Sequence, residues 1–396
     1  MNDVRSAARL RVVAPADLDE AEIESWRELR AKSGAPANPF MEPEFTLAVG
    51  RVRPGARVAV VREGAGTEGA GAPTASGTAA AEPVGFFPYE RGPLGRGRAI
   101  GLGVSDCQGG VFRGGVRLTA RELLGGCSLT SWEFDNLEAG QRLFVPAEAE
   151  AGAGTGVGFG VGAFAGFESP VIEVGEGYGA YETALRARSP KFFRTTAAKE
   201  RKLALRAGGL RFVFDERDPA ALRTLMEWKS AQYRRTGRRD RFAKEWISAL
   251  VRQLATTRTP GCSGVLSVLY VADRPVAAHF GLRSRTVLSC WFPAYDPEFA
   301  RFSPGLILHL RMARAAADAG IGVLDLGRGA AEYKDALKTG GLQVYEGAVT
   351  RPGARAALYR LGREPVRRAH GFVRERPRLA AYTKAALNRV GRLRDR

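Results

Sequence analysis

The chain has 396 residues, of which 45% are hydrophobic and 26% charged, and a formal net charge of +18. That length predicts two domains, and the apolar content excludes a disordered protein. No run approaches the roughly 18 apolar residues of a membrane span, and the opening MNDVRSAARLRVVAPADLDE lacks a secretory apolar core, which predicts a cytoplasmic protein.

Taken in chain order, Asp19 to Lys32 places Ile23, Trp26 and Leu29 at helical spacing. NPFMEPEF (38–45) is a turn-rich lead into another short helix. ARVAVVREG and EPVGFFPYERG read as hairpin partners around the low-complexity tip AGTEGAGAPTASGTAAA. RAIGLGV and TSWEFDNL read as extended, with a short helix at TARELLGG between them. AEAEAGAGTGVGFGVGAFAG (147–166) reads as a Gly/Ala-rich link. Its GxGxxA match at Gly158, Gly160 and Ala163 lacks the flanking strand and helix of a dinucleotide fingerprint. GYGAYETALRARSPKFFRTTAAKERKLALR reads as helix crossing between domains, followed by a strand at RFVFDE.

The second half is clearer. A helix capped near Asp218-Pro219 ends at Gly237, and another covers RFAKEWISALVRQLATT. GVLSVLYVA, PVAAHFGLR and TVLSCWFPA form a meander with turns at Asp273-Arg274 and Ser284-Arg285. Then come the helix PGLILHLRMARAAADA closed by Gly320, the strand IGVLDLG, the helix AAEYKDALKTGG and the strand LQVYEGAVT. The order is β-β-β-α-β-α-β, and the first half carries a weaker version of it. The reading is α/β (α+β): two related halves with mixed, mostly antiparallel sheets flanked by helices, over 1–180 and 181–350, plus a basic helical tail over 351–396.

The charge is clustered. Residues 188–244 hold 17 Lys/Arg against 6 Asp/Glu, and residues 351–396 hold 14 against 3. Such segments suit a polyanion, namely RNA or other nucleic acid, a charged polysaccharide or an anionic membrane surface, and the last would put the protein at the inner face of the membrane. Arginine-rich coding bias, with only nine lysines in the chain, accounts for the residue type but not for the clustering. Cys107, Cys127, Cys262 and Cys290 have no CxxC spacing, which fits a reducing compartment and predicts no metal site.

Ser303-Pro304-Gly305 opens a helix directly after the meander. It is either an ordinary cap or, with Leu306, an anion seat built from free N–H groups and the helix dipole. His279, on the middle meander strand, has small neighbours on its own face (Ala277, Gly281), while Val276, Ala278, Phe280 and Leu282 alternate onto the other. Its unperturbed pKa suits a general base, or it is a polar strand residue bonded to a loop. Asp296 could orient an amine or serve as base, but Asp-Pro is also a common turn. Asp325 either faces the same opening or caps the Gly-Arg-Gly turn. Arg328, between Gly327 and Gly329, is the best guanidinium for a phosphate. Lys334 and Lys338 share a helix face. His309 reads as a packing residue.

PVAAH, AYDPEFARFSPGLIL and DLGRGAAEYK, supported by NPFMEPEF and WKSAQYRRTG, resemble the GNAT acyltransferase superfamily, and within it the CelD/BioF2-like branch associated with exopolysaccharide or cellulose synthesis. The resemblance covers about 26–350, with specific motifs in the second half. The usual pyrophosphate loop of that superfamily is R/Q-x-x-G-x-G/A; here Arg301 to Leu306 keeps one glycine and gains a proline. The resemblance implies tandem GNAT halves, the first degenerate and the second catalytic, with acetyl-CoA or another acyl-CoA as co-substrate. Tyr333 would then be the general acid for the departing thiolate, while Lys334 would bind a phosphate or steady the oxyanion. The implied activity is N-acyl transfer to an amine, such as an amino sugar in exopolysaccharide, cellulose or envelope synthesis, by direct attack. Double GNAT halves also occur in Fem-like peptidyltransferases, which take aminoacyl groups from tRNA, so an aminoacyl donor is the alternative. A non-catalytic accessory of a polysaccharide synthase is the third reading.

Overall fold

The computed structural model describes residues 9–33, 37–63, 81–145, 162–206, 209–329 and 331–351. The basic tail and the hairpin tip at 64–80 lie outside them, as do Gly158 and Gly160.

The strands are β1 (Arg9–Val13), β2 (Ala56–Arg62), β3 (Pro83–Arg91), β4 (Arg96–Ala99), β5 (Val111–Phe112), β6 (Ser131–Glu138), β7 (Gly162–Glu173), β8 (Leu210–Val213), β9 (Ser263–Val271), β10 (Arg274–Arg283), β11 (Val287–Tyr295), β12 (Val323–Asp325) and β13 (Gly340–Thr350). The helices are α1 (Glu20–Lys32), α2 (Pro43–Val52), α3 (Ala120–Gly126), α4 (Tyr178–Arg188), α5 (Pro190–Arg206), α6 (Pro219–Arg235), α7 (Glu245–Thr256), α8 (Pro304–Asp318) and α9 (Glu332–Leu337).

All the strands join one sheet in the order β1-β2-β3-β4-β6-β13-β7-β12-β11-β10-β9-β8, with β5 beside β3. Read inward from either edge, the pairings repeat: three antiparallel, one parallel (β4 with β6, β11 with β12), then one antiparallel. The two halves are therefore related by a pseudo-twofold axis between β13 and β7. Each half gives its last strand to the other: β13 pairs with β6, and β7 pairs with β12. The sequence reading kept each half's strands together, because cross-half pairing has no local signature. It also placed a link where β7 begins at Gly162, and a continuous helix where Pro190 separates α4 from α5.

Local chemistry sets the elements. Asp19 and Glu22 form a reciprocal capping box at the start of α1. Pro43 opens α2 where a missing N–H costs nothing. Asp218 caps α6 by accepting from the Ala220 N–H at 2.8 Å. One core cluster spans both halves: Trp291 of β11 packs edge-on against Phe40 at 5.2 Å and near Phe45 at 6.4 Å. A second lies beneath α4, α5 and α8, and a third, around Trp132, Phe87 and Phe144, fills the N-terminal half. Among the described residues no helix is long and apolar enough to cross a membrane.

Candidate active site

The β11/β12 pairing ends at Ser289↔Asp325, yet β11 continues to Tyr295. The two parallel strands therefore part beyond Asp325, and α8 starts beside the opening with Tyr295 Cδ1 near Gly305.

Of the residues expected from sequence, His279 and Tyr333 each neighbour the ring of His309. The His279 and His309 rings are 5.9 Å apart, and those of His309 and Tyr333 are 5.4 Å apart. His309 Nδ1 donates to the Gly305 carbonyl at 2.7 Å, which fixes the neutral tautomer with Nε2 as acceptor. His279 is fully buried, and neither ring nitrogen has a hydrogen-bond partner among the described residues. Burial, with His309 and Lys229 nearby, holds its pKa well below the usual histidine range, so it stays neutral and weakly basic. That departs from the unperturbed base expected from sequence. Register breaks between Pro275 and Ala277 and between Phe280 and Gly281 also disturb the expected alternation, so Val276 joins Ala277 in one cluster while Ala278, Phe280 and Leu282 pack in the other. Burial pushes the Tyr333 phenol up to about 12, keeping it protonated as a proton donor must be.

Lys334 and Asp325 form a second group. Lys334 is buried, with Nζ donating to the Gly327 carbonyl at 2.6 Å and reaching Arg328 O at 3.4 Å. Asp325 accepts from the Ser169 hydroxyl at 2.6 Å and from the Gly327 N–H at 2.9 Å, so it both caps the turn and borders the opening. Burial lowers the Lys334 pKa, opposed by Asp106 and Asp325, and burial raises that of Asp325.

The other expected residues are occupied elsewhere. Asp296 caps the turn at Pro297–Phe302 by accepting from the Glu298 N–H at 3.0 Å, and it pairs with Arg274 at 2.6 Å. Arg328 is not a free guanidinium: it donates to the Asp135 carbonyl and pairs with Glu346, each at 2.6 Å, tying β6 to β13. Gly329 supplies the positive φ (117°) that lets this turn form. Lys338 pairs with Glu168. Ser303 does not cap α8 with its hydroxyl. It ends one helical turn and begins the next, which puts its backbone at φ 51°, ψ 52°. Its Oγ instead accepts from Lys199 Nζ at 2.8 Å.

Sequence reasoning missed the cavity of about 550 Å³ beside the α8 start, lined by Arg188, Lys191, Thr195, Lys199 and Leu306. The basic run 188–202 was its signal. Lys229 was also missed. It donates to the Pro293 carbonyl at 2.8 Å, opposite His279 on β11, and burial lowers its pKa to about 8.

Asp106 was missed as well. Its loop from the N-terminal half is pinned to β11 by the Trp291 Nε1–H, which donates to the Val104 carbonyl at 2.6 Å, and to β6 by Asn136, which donates to the Ser105 carbonyl at 3.1 Å. A Cβ at Gly327, which has φ 73°, would lie 3.3 Å from Asp106 Oδ2. Burial first, then the Asp325 carboxylate, raises the Asp106 pKa from 3.8 to about 7. A carboxyl that binds its proton more tightly when folded contributes stability that is complete below about pH 4 and is lost as pH rises through about 7. Asp106→Asn is therefore expected to gain stability relative to wild type between those limits, measured by urea unfolding at pH 4 and pH 8. Equal differences at both pH values would refute the raised carboxyl pKa.

In the C-terminal half a parallel pair parts beside a helix start after an antiparallel meander, and the same order of strand pairings recurs in the N-terminal half. Residues 191–335 match the family model described as the acetyltransferase (GNAT) domain, so this stretch of the C-terminal half is similar to that domain. Among solved structures, FemX superposes with a TM-score of 0.55 at 12% identity, over 87% of this chain and 98% of that one, and shares its fold. A tandem GNAT protein from the clavulanic acid biosynthesis pathway aligns with a TM-score of 0.46 at 13% identity, over 88% of this chain and all of that one. No curated protein matches the sequence.

Proposed function

We propose that the protein is an acyl-CoA-dependent N-acyltransferase. Its acceptor would be an amine such as an amino sugar of exopolysaccharide, cellulose or envelope synthesis, in keeping with the CelD/BioF2-like sequence resemblance. The observation that carries this reading is the β11/β12 opening, with Gly305 on one side and Tyr333 and Lys334 on the other.

The residues present fit a thioester donor in part. A Cβ at Gly305 would meet only Tyr295 Cδ1, at 3.8 Å, so the helix start is approachable. Pro304 has no N–H, and the Leu306 and Ile307 amides both turn back to the Ser303 carbonyl. Few backbone donors are left for a pyrophosphate, so its charge would be met chiefly by Lys199, Lys191 and Arg188 around the cavity. The donor supplies the activated carbonyl. Tyr333, still protonated at neutral pH, would give its proton to the departing sulfur. Lys334 would steady the oxyanion through its charge and by fixing the 327–328 carbonyls.

The test is thermal stabilisation by coenzyme A and a panel of acyl-CoAs, comparing wild type with Gly305→Trp. A ligand at 100 times its dissociation constant stabilises by about 2.7 kcal/mol. A shift abolished by the tryptophan supports the reading, and no shift with any thioester sinks it. Lys199→Ala is expected to weaken coenzyme A binding by roughly tenfold or more, the value of a charge-assisted hydrogen bond. Calorimetric titration measures it, and an unchanged affinity would move the phosphates elsewhere.

A second reading, a Fem-like aminoacyl-tRNA donor, is favoured by one surface feature. Arg234, Arg235, Arg238, Arg239 and Arg241 are exposed at and beyond the end of α6. Co-purifying RNA, released by salt, would support it.

A further inference from the structure

In the described structure the C-terminal half's own candidate bases are buried or engaged: burial lowers the His309 pKa while its Nδ1 donates to the Gly305 carbonyl, and Lys229 donates to the Pro293 carbonyl. His279 is buried and weakly basic, Asp296 is held by Arg274 and its cap, and Asp325 is engaged by Ser169 and Gly327. The Lys334 ammonium is spent on the Gly327 and Arg328 carbonyls. A further carboxylate at the opening comes from the other half. Asp106 is partly exposed, its Oδ2 stands over Gly327 where β12 leaves β11, and among the described residues no hydrogen bond or ion pair engages it. The charged groups facing it are Asp325 on β12, Lys334 on α9, Asp135 on β6 and Arg241 beyond α6. Its loop is held rigidly by the Trp291 and Asn136 hydrogen bonds, so the carboxylate is presented by a fixed support.

We propose that Asp106, carried in from the N-terminal half, is the catalytic base of the C-terminal half and the group that receives the acceptor, a primary amine arriving as its ammonium. This rests on the acyl-transfer reading above. The ammonium gives one proton to the Asp106 carboxylate, which passes it to water. The neutral amine then forms the C–N bond to the acyl carbon as the C–S bond breaks. Tyr333 gives its proton to the sulfur and regains one from the amine nitrogen. One thioester and one ammonium become one amide, one thiol and one proton. The base's raised pKa suits it to this transfer near neutral pH. On this account the N-terminal half is degenerate as a donor site but is retained because it completes the other half's chemistry.

The experiment uses the full chain as wild type, Asp106→Asn and Asp106→Glu. Ethylammonium chloride is compared with tetramethylammonium chloride, which has no N–H to give, at equal ionic strength and at pH 6 and pH 8.5. In wild type, ethylammonium should stabilise beyond the tetramethylammonium control, more at pH 8.5 than at pH 6. That excess should vanish in Asp106→Asn and survive in part in Asp106→Glu, while stabilisation by acetyl-CoA is the same in all three. Thiol release from acetyl-CoA with glucosamine as acceptor should fall about 100-fold or more in Asp106→Asn, the usual size of a lost base. An ethylammonium excess equal in wild type and Asp106→Asn, or absent from wild type, overturns the proposal. Loss of the acetyl-CoA shift in every protein, with the ethylammonium excess intact, strikes the donor reading instead and leaves the amine seat standing.

Discussion

Lys334→Met should cost about 3–5 kcal/mol at pH 8, the usual consequence of removing one member of a buried charged group. The side chain is buried, donates to the Gly327 carbonyl at 2.6 Å, and lowers the pKa of both Asp106 and Asp325. Methionine fills the space but leaves the Gly327 carbonyl without its donor and removes a positive charge that acts on two nearby carboxylates. Both carboxyl pKa values then rise further, so acid should relieve part of the loss. The measured cost is expected to shrink between pH 8 and pH 5, because protonation removes the uncompensated charge. Urea unfolding at the two pH values checks this, and a loss below about 1 kcal/mol at pH 8 would show that the lysine is not needed by the turn.

Trp132→Ala is expected to cost about 3–5 kcal/mol, as large aromatic truncations in packed cores do. Trp132 is fully buried on β6, with ring centroids 4.5 Å from Phe144, 5.0 Å from Phe87 and 5.0 Å from Phe134. Val349 of β13 pairs directly with it. A change in the N-terminal core should therefore loosen the last strand of the C-terminal half, and the whole protein should unfold in one shifted transition. Two separated transitions, with the later one at the wild-type midpoint, would mean that the halves are energetically independent.

Much of the fold was legible because its signals are local. The meander announced itself through three apolar runs and two short turns, and β9, β10 and β11 lie where those runs fall. Helix α8 was legible from its proline at the first turn and its closing glycine. The site was legible less evenly. His279 and Tyr333 were named, and each lies against the ring of His309, which read as packing, since nothing in LILHLRM shows what its face looks toward. Ser303 read as a side-chain cap because Ser-Pro-Gly favours one, whereas a preceding helical turn took its backbone left-handed. Arg328 read as a phosphate ligand because its glycine neighbours suggest access, but Glu346 and the Asp135 carbonyl arrive from distant strands. Asp106 lies in GLGVSDCQGG, whose glycine spacing marks a tight loop without saying which half it serves. Long-range pairing hid each of these.

The exchange of β7 and β13 has a consequence for synthesis. When the ribosome has finished β6, that strand has no partner on the side later taken by β13, which begins at Gly340. At 5–20 residues per second, the roughly 200 residues between Glu138 and Gly340 take about 10–40 s to appear. Throughout that interval the nascent chain presents an unpaired strand edge of the kind that other chains can join. Whatever shelters that edge in the cell, a chaperone or the unfinished chain itself, decides how much of this protein matures.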